Sequence, residues 1–190
     1  TVHSDYRLDY LGRPFHRLTY GTINTISLRM FDYHIGVSDA MVQLLISRGF
    51  NPQKLFSIYN GVAFPPEKPS LSRGEYLESL GVSYDEDTVV FGIAARLNPV
   101  KDIATLIRGF AGACRKCPNI RLVIAGDGEE RQMLESLAKE TCPAGSVVFA
   151  GWVKDTDSFY HAIDVNMLTS LSEGAPYALV EGARMRCATI

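Results

Sequence analysis

The chain has 190 residues, of which 46% are hydrophobic, and this composition suits a globular protein of one or two domains with a full core. Its 19 basic and 21 acidic residues give a formal net charge of −2, so no basic excess indicates a nucleic-acid partner. No apolar run approaches the ~20 residues of a membrane span, and no signal peptide is visible.

The two ends of the sequence indicate a piece of a longer protein. The chain begins with Thr1, in what is predicted to be the end of a strand, and it stops at 188–190, which is predicted to begin another strand. A preceding segment could therefore carry a signal or an anchor.

Four cysteines include one Cys-x-x-Cys pair, Cys114 and Cys117, a spacing that zinc and redox sites use. A second pair at this spacing is absent from the sequence. Because Pro118 follows at the end of an amphipathic helix, packing at a helix end is the favoured interpretation. With no disulfide framework, the composition favours a reducing, cytoplasmic setting.

Residues 1–62 are predicted to be the tail of one α/β unit. It would contain a strand end at 1–3, a helix from Pro14, strands at 33–37 and 55–59, and a short helix capped by Ser38. The apolar positions of the first helix are Phe15, Leu18, Ile23, Ile26 and Met30.

The end of this unit is marked by a turn signal, Asn60-Gly61-Val62. Residues 63–70 contain three prolines and are predicted to be a linker between domains.

Residues 71–190 are predicted to form a second domain in which strands and helices alternate. That alternation indicates an α/β fold whose parallel sheet is covered on both faces. The predicted strands are 88–95, 120–125, 147–150 and 163–168. The predicted helices are 72–80, 102–116, one opened by 126–131, one that starts at 155–157 and one that starts at Pro176.

Two cations follow the first strand of this domain, in the segment Arg96-Leu-Asn-Pro-Val-Lys101. In a parallel sheet the ligand crevice lies outside the carboxyl ends of the strands. The loop is therefore expected to deliver both cations to that crevice.

The next strand is followed by Gly126-Asp-Gly128, which nearly matches Gly-x-Gly-x-x-Gly except that Arg131 stands at the third glycine. The partial match favours a nucleotide-binding α/β domain in general.

The stretch from Leu168 to Ala183 is the most informative part of the chain. Glu173 and Gly174 are predicted to lie in a loop between a buried strand and the helix that starts at Pro176. The free N–H groups of that helix start would favour an anion such as a phosphate. Glu181 follows ~7 Å further along the helix axis, so two carboxylates and an anion site could face one small ligand.

These residues carry a resemblance to a known family. Glu173, seven intervening residues and Glu181 resemble the Glu-x7-Glu signature of the retaining glycosyltransferases of family 4, which have the GT-B fold. The segment 96–101 resembles that family's Gly-Arg-Leu-x-x-x-Lys segment, with Ala95 in place of the glycine. Segments 37–41 and 58–62 resemble the end of its acceptor-side domain and the hinge.

The resemblance covers nearly the whole chain and implies its architecture. Residues 71–190 would be a Rossmann-like, doubly wound, nucleotide-sugar-binding domain, truncated at its end. Residues 1–62 would be the tail of a second Rossmann-like domain.

The resemblance also implies roles for individual residues. Arg96 and Lys101 would hold the donor's diphosphate, Glu173 would bind sugar hydroxyls, and Glu181 would bind the ribose of the nucleotide. His3 would lie in the cleft between the domains near the donor's sugar, and would join Arg96, Lys101 and Glu173 as a catalytic residue. The other implied donor-binding residues are Gly126, Gly128, Val153, Gly174, Ala175, Pro176, Leu179 and Val180.

The implied reaction is transfer of a sugar, with retention, from a UDP- or GDP-sugar to a hydroxyl of a carbohydrate or lipid-linked acceptor, in surface polysaccharide or glycolipid synthesis. No metal and no cofactor is expected. The protein would work in the cytoplasm at the inner face of the membrane, with peripheral association through its preceding domain. The present chain alone is expected to be inactive.

Three alternatives remain. Asp155-Thr156-Asp157 matches the metal-binding Asp-x-Asp of a different glycosyltransferase fold, although capping of a helix is the favoured interpretation. The glycine motif could serve a sugar-nucleotide epimerase or an NAD-binding enzyme on a related fold. The chain could also be a non-catalytic donor-binding subunit.

Overall fold

The computed structural model describes residues 1–5, 7–8, 14–64 and 68–190. The chain divides into two compact units: residues 1–61 with 171–177, and residues 62–170 with 178–190. No helix within the described ranges is long and apolar enough to cross a bilayer.

The first unit has a small parallel sheet. It contains helix α1 (Pro14–Arg29), strand β1 (His34–Gly36), helix α2 (Asp39–Ser47) and strand β2 (Leu55–Ser57). The two strands are parallel, and Val2 extends the sheet through a bridge to Gly36. A buried cluster of Val2, Met41, Leu45, Phe50 and Leu55 forms its core.

Helix α2 begins where the sequence predicts, because Ser38 caps it. The Ser38 side chain accepts a hydrogen bond from the Met41 N–H at 3.2 Å, which satisfies one of the free donors of the first turn. The sequence predicts a buried stripe of Met41, Leu44 and Leu45; Met41 and Leu45 are buried, and Leu44 is partly buried.

Two features of this unit differ from the sequence-based expectation. Helix α1 forms, but its apolar side chains Phe15, Leu18, Ile23, Ile26 and Met30 are between 55% and 79% exposed. Residues 58–63 adopt no regular turn. The Asn60 side chain donates a 2.7 Å hydrogen bond to the Ala175 carbonyl.

The second unit is built on five parallel strands in the order β5-β4-β3-β6-β7. They are β3 (Val89–Ala94), β4 (Ile120–Ala125), β5 (Val147–Gly151), β6 (Val165–Asn166) and β7 (Ala188–Thr189). The helices are α3 (Arg73–Ser79), α4 (Ile103–Cys114), α5 (Arg131–Thr141), α6 (Thr156–Ala162) and α7 (Tyr177–Arg184). The predicted α/β fold is thus confirmed, and the strand order is that of a Rossmann-like doubly wound sheet.

Alternate residues of β3 and β4 face the two sides of the sheet, as the two-residue period of a strand requires. Ile93 and Leu122 pack in a cluster with α4 and α5. Val90 and Val123 pack in a second cluster with α3 and α6. Both faces are therefore covered, which explains why these strands are nearly continuous apolar runs.

Helix α3 starts and stops where the sequence predicts. Ser72 and Glu75 form a capping box in which each side chain bonds the other's backbone N–H. Gly81, with φ of +68°, ends the helix in the left-handed conformation that glycine adopts without strain.

Strand β6 is shorter than the predicted strand 163–168. Ile163 packs in the cluster with α3 and α6, and the Asp164 carboxylate accepts from the Val90 N–H at 2.8 Å and pairs with Arg73 at 2.9 Å. Backbone pairing still extends past both ends of β6, because the Asp164 N–H donates to the Val90 carbonyl at 2.8 Å and the Met167 N–H donates to the Gly92 carbonyl at 2.7 Å.

Residues 171–177 pack with the first unit, whereas the sequence-based boundaries place them in the C-terminal domain. The reason is close contact: a Cβ added to Gly174 would collide with the His3 carbonyl and come within 2.9 Å of the Val37 side chain.

Candidate functional site

The second unit brings the carboxyl ends of its strands to one edge, because all five strands are parallel. Chain order reverses direction across the sheet between β3 and β6, which are neighbours. In open α/β sheets, ligands bind outside the carboxyl ends of the strands at this switch point. The loops after β3 and β6 therefore define the candidate site in this unit.

The loop after β3 presents Arg96 outward from a fixed backbone. Arg96 is exposed, while the next residue, Leu97, is fully buried. The Leu97 N–H donates to the Asp127 carbonyl at 3.0 Å, and the Leu97 carbonyl accepts from the Glu130 N–H at 3.1 Å. Arg96 thus lies just after the carboxyl end of β3, on a loop held by the two backbone hydrogen bonds of Leu97.

Lys101 ends a short 3₁₀ turn, Pro99–Lys101, in the same loop. Its N–H donates to the Asn98 carbonyl at 3.0 Å, and its carbonyl accepts from the Thr169 hydroxyl at 2.9 Å. Because Thr169 follows β6, this bond joins the two loops of the switch point.

Gly126 and Gly128 let the loop after β4 approach the loop after β3. A Cβ at Gly126 would collide with the Ala95 carbonyl, and a Cβ at Gly128 would collide with the Leu97 carbonyl. Gly126 also has a φ of +130°, which side chains rarely adopt. The two glycines of the partial nucleotide motif therefore allow the loop after β4 to pack directly against the loop that carries Arg96.

The position of the missing third glycine is at the start of α5. Arg131 is the first residue of that helix and forms ion pairs with Glu135 at 2.8 Å and Asp127 at 3.4 Å. The Arg131 side chain therefore pairs with one residue of its own helix, Glu135, and one residue of the preceding loop, Asp127.

The loop after β5 is tied to the same edge. The Gly126 N–H donates to the Gly151 carbonyl at 2.7 Å. Val153 is partly buried and packs against the core cluster, while the neighbouring Trp152 is 78% exposed.

Glu181 lies in α7, half-buried, with Leu179 and Val180 also partly buried. Burial raises the pKa of the Glu181 carboxyl, while the Tyr160 hydroxyl and the Arg184 guanidinium oppose that rise. Gly182 packs directly on Asn166 of β6, which brings α7 close to the sheet.

The first unit holds the loop that contains Glu173. Gly174 lies against the His3 backbone, and Asn60 fixes the next residue through the Ala175 carbonyl at 2.7 Å. Helix α7 starts at Tyr177, one residue after the predicted Pro176.

The predicted site residues therefore fall into two sets. His3, Glu173, Gly174, Ala175 and Pro176 belong to the first unit, and Arg96, Lys101, Gly126, Gly128, Val153, Leu179, Val180 and Glu181 belong to the second.

Both carboxylates of the Asp-x-Asp segment have partners within the protein. Asp155 caps α6 by accepting from the Ser158 N–H at 3.0 Å, and Asp157 pairs with Arg184. Cys114 is the buried last residue of α4, and Cys117 is exposed. Across the described ranges, no cluster of three His, Cys, Asp or Glu side chains is placed to hold a metal ion.

Sequence reasoning missed Thr169, which bonds the Lys101 carbonyl, Asn60, which bonds the Ala175 carbonyl, and Arg184, which pairs with Asp157. Helical spacing was the available signal for Arg184, because it follows Glu181 by three residues and shares its face of α7.

The parallel sheet, its switch point and the loop that carries Arg96 and Lys101 are features of ligand-binding α/β domains. Comparison with protein families then shows which one: the family model for glycosyl transferases group 1 matches residues 81–190, more than half of the chain. The chain belongs to this family.

Individual relatives agree with the family. The lipopolysaccharide core biosynthesis glycosyltransferase LpsE of Rhizobium meliloti is 38% identical over 81 residues, 43% of this chain and 23% of that protein. The UDP-Gal:alpha-D-GlcNAc-diphosphoundecaprenol alpha-1,3-galactosyltransferase of Escherichia coli is 29% identical over 138 residues, 69% of this chain and 34% of that protein. The chain thus spans about a quarter to a third of the length of these relatives.

A solved structure supports the fold. HepE of Anabaena, in complex with UDP and glucose, superposes with a TM-score of 0.72 at 24% identity, covering 83% of this chain and 43% of HepE. This superposition confirms the predicted α/β fold of the GT-B type.

Proposed function

We propose that the protein is a retaining glycosyltransferase that moves a sugar from a UDP-sugar to a hydroxyl of a saccharide or lipid-linked acceptor. The proposal rests on one observation: Arg96 and Lys101 lie together on the loop after β3, at the switch point of a group 1 glycosyltransferase domain. Hydrogen bonds from the Glu130 N–H and the Thr169 hydroxyl hold this loop in place.

Breaking the bond between the sugar and the nucleotide leaves negative charge on the departing diphosphate. Arg96 and Lys101 would hold that diphosphate and neutralise the charge that develops in the transition state. With two cations in this role, we propose that transfer requires no divalent metal.

Positive charge develops on the sugar ring at the same time. Glu173 would bind the sugar hydroxyls, with His3 beside it, and the packing of Gly174 against the His3 backbone supports their joint role. Glu181 would accept hydrogen bonds from the ribose. No covalent nucleophile is assigned, so the protein would act by positioning the reactants and stabilising charge.

The choice of UDP over GDP rests on the relatives. HepE has been solved with UDP and with UDP-glucose, and the E. coli relative is named for UDP-galactose. The name of LpsE, and that of the E. coli enzyme, which includes alpha-D-GlcNAc-diphosphoundecaprenol, support a role in surface polysaccharide or glycolipid synthesis.

The experiment is a transfer assay on the full-length protein with UDP-glucose, UDP-galactose and UDP-GlcNAc in the presence of a chelator. Diphosphoundecaprenol-linked GlcNAc and short oligosaccharides would serve as acceptors. NMR of the product should show the anomeric configuration of the donor. An inverted product would refute retention, and full dependence on added metal would refute the proposed role of the two cations.

A further inference from the structure

Asn166 is a fully buried amide side chain within the sheet of the second unit. It lies on β6, where it pairs in register with Gly92 of β3 and Thr189 of β7. Asparagine is depleted in strands, and a buried amide must recover through hydrogen bonds what it loses by leaving water. The contacts of its two amide atoms therefore decide what this side chain contributes.

The amide nitrogen of Asn166 binds the first turn of α7. Its Nδ2 donates a 2.8 Å hydrogen bond to the carbonyl of Ala178, the second residue of that helix. A carbonyl has two lone pairs, so it can accept this bond in addition to the helical bond from the N–H four residues later. Strand β6 thereby holds the backbone of α7 at a defined point.

The amide oxygen of Asn166 has no comparable partner. Within the described ranges, Oδ1 is buried and accepts no hydrogen bond. A buried acceptor without a donor destabilises the fold, because the oxygen has lost its hydrogen bonds to water. Stability alone therefore does not explain an amide at this position, and its contribution lies in the bond to α7.

Gly182 of α7 leaves room for the same amide. A Cβ at this position would lie 2.5 Å from the Nδ2 atom of Asn166 and 3.1 Å from its Cγ atom, closer than side chains pack. A larger residue at position 182 would thus displace either the helix or the amide. Asn166 and Gly182 together set the distance between α7 and β6.

The turn of α7 that these contacts hold carries Glu181, the proposed ribose ligand. Glu181 follows Ala178 by three residues and directly precedes Gly182. Both contacts with Asn166 therefore lie within one helical turn of Glu181, ~5 Å along the axis. A displacement of this turn would move the Glu181 carboxylate with it.

We infer that Asn166 is a positioning residue for the donor site: its amide fixes the first turns of α7 and thereby the place of the Glu181 carboxylate. Hydrogen bonds weaken steeply when their distance or angle is lost, so a small shift of α7 would weaken the contact with the nucleotide. This inference rests on the proposed function, because the contact between Glu181 and the nucleotide belongs to that proposal.

Asn166→Leu tests the inference, since leucine has a similar branched shape but no donor. A methyl group cannot remain 2.8 Å from the Ala178 carbonyl, because contacts between carbon and oxygen need ~3.3 Å or more. The helix should therefore shift. In calorimetry of the full-length protein, this variant should bind UDP about three- to tenfold more weakly than the wild type.

Two further variants accompany this test. Gly182→Ala keeps the amide but places a methyl group against it, and it should also weaken UDP binding about threefold or more. The control is Asn119→Leu, at a residue that precedes β4 at the opposite edge of the sheet. Asn119 donates to the Asp85 carboxylate at 2.9 Å, and loss of this bond should leave the UDP affinity unchanged.

The readout that separates positioning from a merely structural role is dependence on Glu181. If Asn166 acts through this carboxylate, Asn166→Leu should weaken UDP binding less than about twofold when it is added to Glu181→Ala. A merely structural role would weaken binding by the same factor with and without Glu181. The same cycle is made with Gly182→Ala, so the test does not depend on the folding of one variant.

The outcomes distinguish the inference from the proposed function. If Glu181→Ala binds UDP as tightly as the wild type does, the proposed ribose contact is wrong and the inference fails with it. If Glu181→Ala weakens UDP binding but Asn166→Leu and Gly182→Ala do not, the inference alone is overturned. Equal losses in the presence and absence of Glu181 also overturn the inference alone.

Discussion

The Thr169 hydroxyl donates a 2.9 Å hydrogen bond to the main-chain carbonyl of Lys101. The bond joins the loop after β6 to the loop after β3, the two neighbouring strands at the switch point of the sheet. It therefore holds Lys101, one of the two residues proposed to bind the diphosphate, to the loop after β6.

Thr169→Val removes this bond while keeping the shape of the side chain. The loss of ~1 kcal/mol should loosen the Lys101 turn and weaken UDP binding roughly three- to tenfold. The matched control is Thr141→Val, because the Thr141 hydroxyl bonds close neighbours in sequence, the Leu137 carbonyl at 2.7 Å and the Cys142 sulfur at 3.7 Å. Equal UDP affinities for both variants in calorimetry would show that the Thr169 bond does not position Lys101.

Gly128→Ala should destabilise the protein by about 1–3 kcal/mol, since the new methyl group would collide with the Leu97 carbonyl and displace the Arg96 loop. Gly109→Ala is the control: it lies in α4 with no atom within 4 Å of the added methyl, so this change should be neutral or stabilising by about 0.5–1 kcal/mol. Thermal unfolding measures both. A Gly128 variant as stable as the Gly109 variant would contradict the close approach of the two loops.

Arg186 occupies a position that favours glycine. Its φ is +63°, in the left-handed region, two residues after α7 ends. Arg186→Gly should therefore stabilise the protein by about 1 kcal/mol. The same replacement at Arg115, which has a φ of −66° at the end of α4, should instead be neutral or destabilising. A lower melting temperature for Arg186→Gly than for the wild type would count against this backbone conformation.

Asp155→Ala should cost about 1 kcal/mol of stability through loss of the cap on α6, whereas Asp155→Asn should keep the cap. Hydrogen bonds from Ser158 lower the pKa of Asp155. A carboxylate with a lowered pKa stabilises the fold above its usual pKa and loses that effect as pH falls through the lowered value. Unfolding curves from pH 7 to pH 3 should thus show the wild type losing stability relative to Asp155→Asn. Parallel curves would contradict the capping role.

The fold was largely predictable because its signals are local. Ser38, Ser72 and Gly81 fix helix ends, and the apolar runs at 89–94 and 120–125 fix buried strands. The interpretation of Asp155 as a cap is confirmed for the same reason.

The remaining features depend on residues far apart in sequence. The Thr169 bond to Lys101 and the Asn60 bond to Ala175 have no local pattern, and a short polar side chain gives no sign of its distant partner. The exposure of the apolar face of α1 is also invisible to periodicity, which indicates that a face is apolar and not what covers it. The roles of His3 and Glu173 stay predictions.

The central claim is that this chain holds the donor site of a UDP-sugar-dependent glycosyltransferase. The most direct measurement is calorimetric titration of the full-length protein with UDP and GDP in the presence of a chelator, for the wild type, Glu181→Ala and the control Glu140→Ala, whose side chain is exposed on α5. UDP should bind in the micromolar range and more tightly than GDP. Glu181→Ala should weaken UDP binding about tenfold or more, as loss of a charge-assisted bond worth ~1.5–3 kcal/mol requires, and Glu140→Ala should not. Binding of NAD with no binding of either nucleotide would contradict the account and favour an epimerase or a dehydrogenase.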